Sequence, residues 1–127
     1  MRQGTARFAR RIGKRGYFAE VTVQIEQCSQ ERTSLDCTPV VERVIGLPGV
    51  SYPALFEAVQ RASDWALRSA NTPPVKITLT SLSCMPFDTT ISAISVASAL
   101  AVWEAIGFKP SMSAIRAIED FCIEKPA

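Results

Sequence analysis

Histidine is absent from this chain of 127 residues. That removes the usual general base for a serine or cysteine nucleophile and the usual nitrogen ligand of a structural zinc. Lysine is scarce, at positions 14, 76, 109 and 125, and none has an acid or serine at a spacing that suggests a catalytic pair. Cys28, Cys37, Cys84 and Cys122 include no Cys-x-x-Cys pair, so no zinc site is indicated. They are expected to be reduced, partly buried apolar residues, with a Cys28–Cys37 disulfide across the intervening loop as the alternative. No run approaches the ~20 apolar residues that span a bilayer; the richest stretch, 91–108, is broken by Ser92, Ser95, Ser98 and Glu104. The first residues are basic, but no apolar run follows them, which is not the pattern of a secretory signal. A soluble, cytoplasmic protein without a membrane partner is expected.

Phosphate-binding motifs are missing as well. Gly13-Lys14-Arg15-Gly16 is too short for a P-loop and precedes a strand rather than a helix. Adjacent carboxylates such as Glu119 and Asp120 point different ways on a helix. The sequence therefore nominates no active site, and the expectation is a protein that is not an enzyme and takes no nucleotide, cofactor or metal.

Acid is lacking where base is concentrated. Residues 1–16 carry Arg2, Arg7, Arg10, Arg11, Lys14 and Arg15 and no acidic residue, while the net charge of the whole chain is only +2. The remainder is thus mildly acidic. Two readings of this basic N-terminal segment stand side by side: a contact for a polyanion at one end of the molecule, or a solvated arm.

The length suits one domain, 1–127, and the hydrophobic share of 47% is that of a globular protein. Thr5–Arg10 fits either a short strand or a flexible arm, and glycine makes 13–16 a turn. Tyr17, Ala19, Val21, Val23 and Ile25 then alternate with polar positions, which is a strand with one buried face. Residues 28–36 read as a polar loop, and the β-branched stretch Pro39–Ile45 predicts a second strand. From Ser51 the period becomes helical, with Leu55, Ala58, Val59, Ala62, Ala66 and Ser69 on one stripe and Pro53 in the first turn. Val75, Ile77 and Leu79 mark another strand. Asp88, Thr89 or Thr90 can cap a helix that runs to about Ile106 and stops at Gly107. This helix is apolar on two faces, one through Ile91, Ile94, Ala97, Ala101 and Ala105, the other through Val96, Leu100 and Trp103. A final helix over Ser113–Ile123, within a C-terminal extension 109–127, presents Ile115, Ile118, Phe121 and Cys122. The order β-β-α-β-α-α, with one more strand in front if Thr5–Arg10 forms one, gives a two-layer α/β (α+β) sandwich.

Four local patterns in this order resemble domain IV of elongation factor G. They are Gly16-Tyr17-Phe18-Ala19-Glu20-Val21-Thr22-Val23 after a basic turn, Gly46-Leu47-Pro48-Gly49 leading into Phe56-Glu57-Ala58-Val59, Pro74-Val75-Lys76-Ile77-Thr78-Leu79, and Phe87-Asp88-Thr89-Thr90 before an alanine-rich helix. The resemblance covers about residues 10–108 and implies the ribosomal protein S5 domain 2-like fold, as a stand-alone domain without the GTPase. It also implies that two loops, 13–16 and 83–88, sit side by side at a tip that meets the ribosome. The family's tip histidine is replaced here by Met85 or a neighbour, so translocation activity does not carry over. Small-molecule kinases of the same superfamily use glycine-rich phosphate loops that this sequence lacks.

Two functional readings follow. In the first, the chain contacts ribosomal or other RNA: Arg7, Arg10, Arg11, Lys14 and Arg15 meet phosphates, while Phe87 or Tyr17, beside Met85, stacks on a base. In the second, Val96, Leu100 and Trp103 form an apolar face for another protein or for a second copy of the chain. The bland reading of the same face is that the C-terminal helix covers it.

Overall fold

Tyr17, Ala19, Val21, Val23 and Ile25 are all buried, as a period of two on one face of a strand requires. They belong to β2 (Arg15–Gln27), the centre of the fold. The structure is a computed structural model that describes residues 1–28 and 31–122. Parts of two sequence expectations, the middle of the polar loop at 29–30 and the helix end at Ile123, lie outside the described residues.

The basic N-terminal segment is a strand. β1 (Arg2–Ile12) pairs antiparallel with β2 without interruption from Arg2↔Ile25 to Ile12↔Arg15. On its other side β2 pairs antiparallel with β4 (Val75–Ser83). The register shifts between Thr22, opposite Ser81, and Val23, opposite Leu79, so that Thr80 is the extra residue of a β-bulge. The bulge explains why burial in β4 runs through Val75, Ile77 and Leu79 and then resumes at Leu82. A short β3 (Ser34–Asp36) lies parallel to β4 and completes the order β1-β2-β4-β3.

The expected strand over Pro39–Ile45 is not formed, and β3 lies in the stretch read as loop. Thr38–Val40 makes a 3-10 turn that runs into α1 (Val41–Ile45). The Asp36 carboxylate ends the strand by accepting the backbone N–H of Thr38 at 2.9 Å and its hydroxyl at 2.7 Å. These bonds, the hydroxyl's first, hold the Asp36 carboxyl below its ordinary pKa. Pro39 opens the turn. Val40 and Val44, four residues apart, are buried, while Val41 and Ile45 face outward. Spacing, rather than β-branching, decided the outcome. Cys37 beneath this turn is fully buried, and burial pushes its thiol up to about 12. No disulfide joins the cysteines among the described residues, so the Cys28–Cys37 bridge is not present.

The long helices follow the sequence closely. α2 (Tyr52–Ser69) is capped by Ser51, whose hydroxyl accepts the N–H of Ala54. α3 (Ile91–Ile106) is capped by Thr90 and closed by Gly107 at φ 74°. α4 (Met112–Cys122) lies against α3. Helix α3 rests on β1 and β2 and packs against α2, and this contact is very close at Gly4. A Cβ built there would stand 2.2 Å from the Ala101 carbonyl oxygen and 2.5 Å from the Ala105 nitrogen. The other face of the sheet is polar, with the Thr5 and Thr22 hydroxyls bonded at 2.9 Å. The result is a two-layer α/β sandwich of one four-stranded sheet and its helices. Among the described residues no helix is long and apolar enough to cross a membrane.

Candidate nucleic-acid interface

The hairpin between β1 and β2 turns in two residues, Gly13 and Lys14. Gly13 at φ 63° takes the first central place, where the twist of the flanking strands favours a positive φ. One strand over, β4 ends beside Glu20 of β2, so the loop that follows runs back along 16–18. The Phe18 N–H donates to the Asp88 carbonyl at 2.9 Å. The buried Thr89 hydroxyl donates to the Phe18 carbonyl at 2.7 Å and accepts the Met85 N–H at 2.8 Å. Gly16 lies close against this seam: a Cβ there would stand 3.1–3.2 Å from the Asp88 carboxylate. The two loops therefore sit side by side, at the end of the sheet where α3 begins.

The second loop is a tight turn. The Asp88 N–H donates to the Met85 carbonyl at 3.2 Å across Pro86 and Phe87. Proline in the second place and a positive φ in the third is the type II arrangement, whose third place normally requires glycine or asparagine. Here it holds Phe87, at φ 69° and 83% exposed. Met85 beside it is half exposed. Cys84 behind the turn has its thiol pKa raised, chiefly by burial, while the nearby Arg43 guanidinium acts in the opposite sense. Arg43, on α1, is exposed. Sequence reasoning missed Arg43 because its segment read as a strand.

The basic candidates divide into two groups. Arg7 pairs with Glu20 at 3.3 Å and lies over the Phe18 ring, and Arg10 is bonded to the largely buried Glu119 of α4. Those two are engaged within the protein. Arg11, Lys14 and Arg15 are exposed around the hairpin tip, with the Arg15 guanidinium 5.5 Å from the centre of the Tyr17 ring. Tyr17 itself is buried in the core and is not a free stacking surface.

The expected apolar face is interior as well. Val96 and Trp103 are buried, and Leu100 is partly so. The Trp103 indole N–H donates to the Ala66 carbonyl of α2 at 2.9 Å, and its ring meets Trp65 and Phe108. The face is covered from within, by α2, the segment after α3, and α4, which leaves Val96 and Trp103 out of reach of a partner.

No protein-family model matches the sequence, and no curated protein matches it. Solved structures do share the fold. A protein from Thermus thermophilus superposes with a TM-score of 0.65 at 17% identity, over 84% of this chain and 16% of that one. A mevalonate kinase superposes at 0.51 with 12% identity, over 93% of this chain and 44% of the kinase. The fold is ribosomal protein S5 domain 2-like. The chain spans about a sixth of the first structure and less than half of the second, and at these identities the likeness concerns architecture alone.

Proposed function

We propose that this chain is a non-catalytic module resembling domain IV of elongation factor G, and that its loop end contacts ribosomal or other RNA. The observation that carries the reading is the convergence of 13–16 with 84–89. Arg11, Lys14 and Arg15 stand at one side of the joint tip, and Phe18, Asp88 and Thr89 bond its two loops together. Charge so placed acts on phosphates without reading sequence. Arg7 and Arg10 take no direct part, because Glu20 and Glu119 occupy them.

The test is co-sedimentation with ribosomes and with RNA across a salt series. With three phosphate contacts on a single strand, log K falls with log salt at a slope of about −2. Affinity then drops roughly twentyfold between about 50 and 200 mM. Replacing Arg11, Lys14 and Arg15 together by alanine is expected to remove both the binding and its salt dependence. Absence of binding at low salt would overturn the reading.

A further inference from the structure

Phe87 occupies a place that the fold alone would give to glycine. A non-glycine residue held at positive φ is strained, and it persists where the surroundings enforce it. Here they do: Pro86 precedes it, the Met85–Asp88 turn closes around it, and the buried Thr89 hydroxyl fixes Met85. Burial does not compensate for the strain, because Phe87 is 83% exposed. The turn thus holds an aromatic side chain outward at the expense of backbone strain. Exposed cations stand on the adjoining hairpin, Lys14 and Arg15.

We propose that Phe87 is a stacking platform for an unpaired base, so that the loop end takes single-stranded rather than duplex RNA; the proposal rests on the RNA reading above. A ring at a tip can stack only on a base whose face is open. In an A-form duplex both faces are covered by neighbouring bases, and the deep groove does not admit side chains. A single strand offers open faces, and its phosphates beside the stacked base would meet the cations of the hairpin. Such aromatic-plus-cation surfaces bind single strands with little sequence preference, because every base has a π face. Tyr17 cannot serve in this way from its buried position.

The experiment is fluorescence anisotropy of the full chain with a dye-labelled oligouridine and with a labelled RNA duplex of equal length, at about 50 mM salt. The oligouridine is expected to bind more tightly than the duplex. Phe87→Ala is expected to weaken the single-strand complex roughly 5- to 150-fold, the range that alanine substitution of a stacking aromatic gives, and to leave the duplex unchanged. Phe87→Trp should retain binding. Phe87→Gly is the control against misfolding: it relieves the turn, so the melting temperature should hold or rise while single-strand affinity falls. Equal affinity for the duplex, or wild-type single-strand affinity in Phe87→Gly, would overturn the stacking role. If the Arg11/Lys14/Arg15 variant still loses binding in that case, the RNA reading survives without it. Binding to neither RNA would sink both.

Discussion

The two ends of α3 solve the same problem, holding a helix to a sheet, by opposite means. At the C-terminal end the solution is a missing side chain: Gly4 lets the β1 backbone approach the Ala101 carbonyl and the Ala105 nitrogen more closely than any Cβ would allow. At the N-terminal end the solution is a polar side chain. The Thr89 hydroxyl joins Met85 to Phe18, and Thr90 caps the helix by accepting the Ala93 N–H at 3.1 Å. The first end is committed to packing. The second keeps its loops fixed without burying their tips, which leaves Phe87, Met85, Lys14 and Arg15 outside. A fold that packs tightly at one pole can therefore present a fixed surface at the other.

Gly4→Ala tests the packed pole and carries the largest expected effect. The atoms in the way are helix backbone, so no side-chain rotation relieves the clash and β1 or α3 must shift. Overpacking costs about 1–3 kcal/mol and occasionally more, and a backbone obstacle puts this site at the upper end, about 3 kcal/mol. Urea denaturation would measure the loss as a lower midpoint. A change below about 0.5 kcal/mol, the range of ordinary surface substitutions, would mean that the seam is looser than its geometry. The folded fraction of the variant should bind through its loop end as before.

Thr89→Val tests the presenting pole. The side chains have nearly the same shape, but valine cannot accept the Met85 N–H or donate to the Phe18 carbonyl. Leaving such groups unsatisfied in a partly buried seam costs about 2 kcal/mol. The loss should be accompanied by faster amide exchange at Met85 and Phe18, whereas Gly4→Ala should loosen amides at the opposite end. If Thr89→Val left exchange in both loops unchanged, the hydroxyl would not be what holds them together.

These two poles were unequally legible in the amino-acid sequence. The packed half is written in periodicity: the alternation in β2 and β4, the stripes of α2 and α4, and the two apolar faces of α3 all find cover, as such patterns must. Gly4 was not readable, since a lone glycine near a chain start does not reveal which helix lies on it. The region between β2 and α2 was misread because Val40, Val41, Val44 and Ile45 suggest a strand by composition. The overlooked cue was the spacing of four between buried Val40 and Val44, after Asp36 and Pro39 had signalled a turn. That error also hid Arg43. At the presenting pole the residue types were legible but their meeting was not. Hydrogen bonds across 71 residues of chain, Phe18 to Thr89, leave no local pattern, and the juxtaposition came from likeness to a known domain. Trp103 shows the converse: an aromatic on a second apolar face reads equally as an interface or as core until the helix beside it is placed.

The middle of α3 carries the smallest predicted effect, and it asks which pole that stretch belongs to. Ser98 is fully buried, and its hydroxyl has no hydrogen-bond partner among the described residues; the same holds for the hydroxyl of Ser63 on α2. A hydroxyl buried without a partner is unfavourable, and alanine is the better helix former. Ser98→Ala should therefore leave the protein as stable as before or raise stability by up to about 1 kcal/mol, read from the same urea midpoints as Gly4→Ala. A gain would place mid-α3 with the packing pole, where side-chain volume matters and polarity does not. A loss of about 1 kcal/mol or more would mean that the hydroxyl is bonded in solution, and that the polar means of attachment used at Thr89 extend into the core of the helix layer.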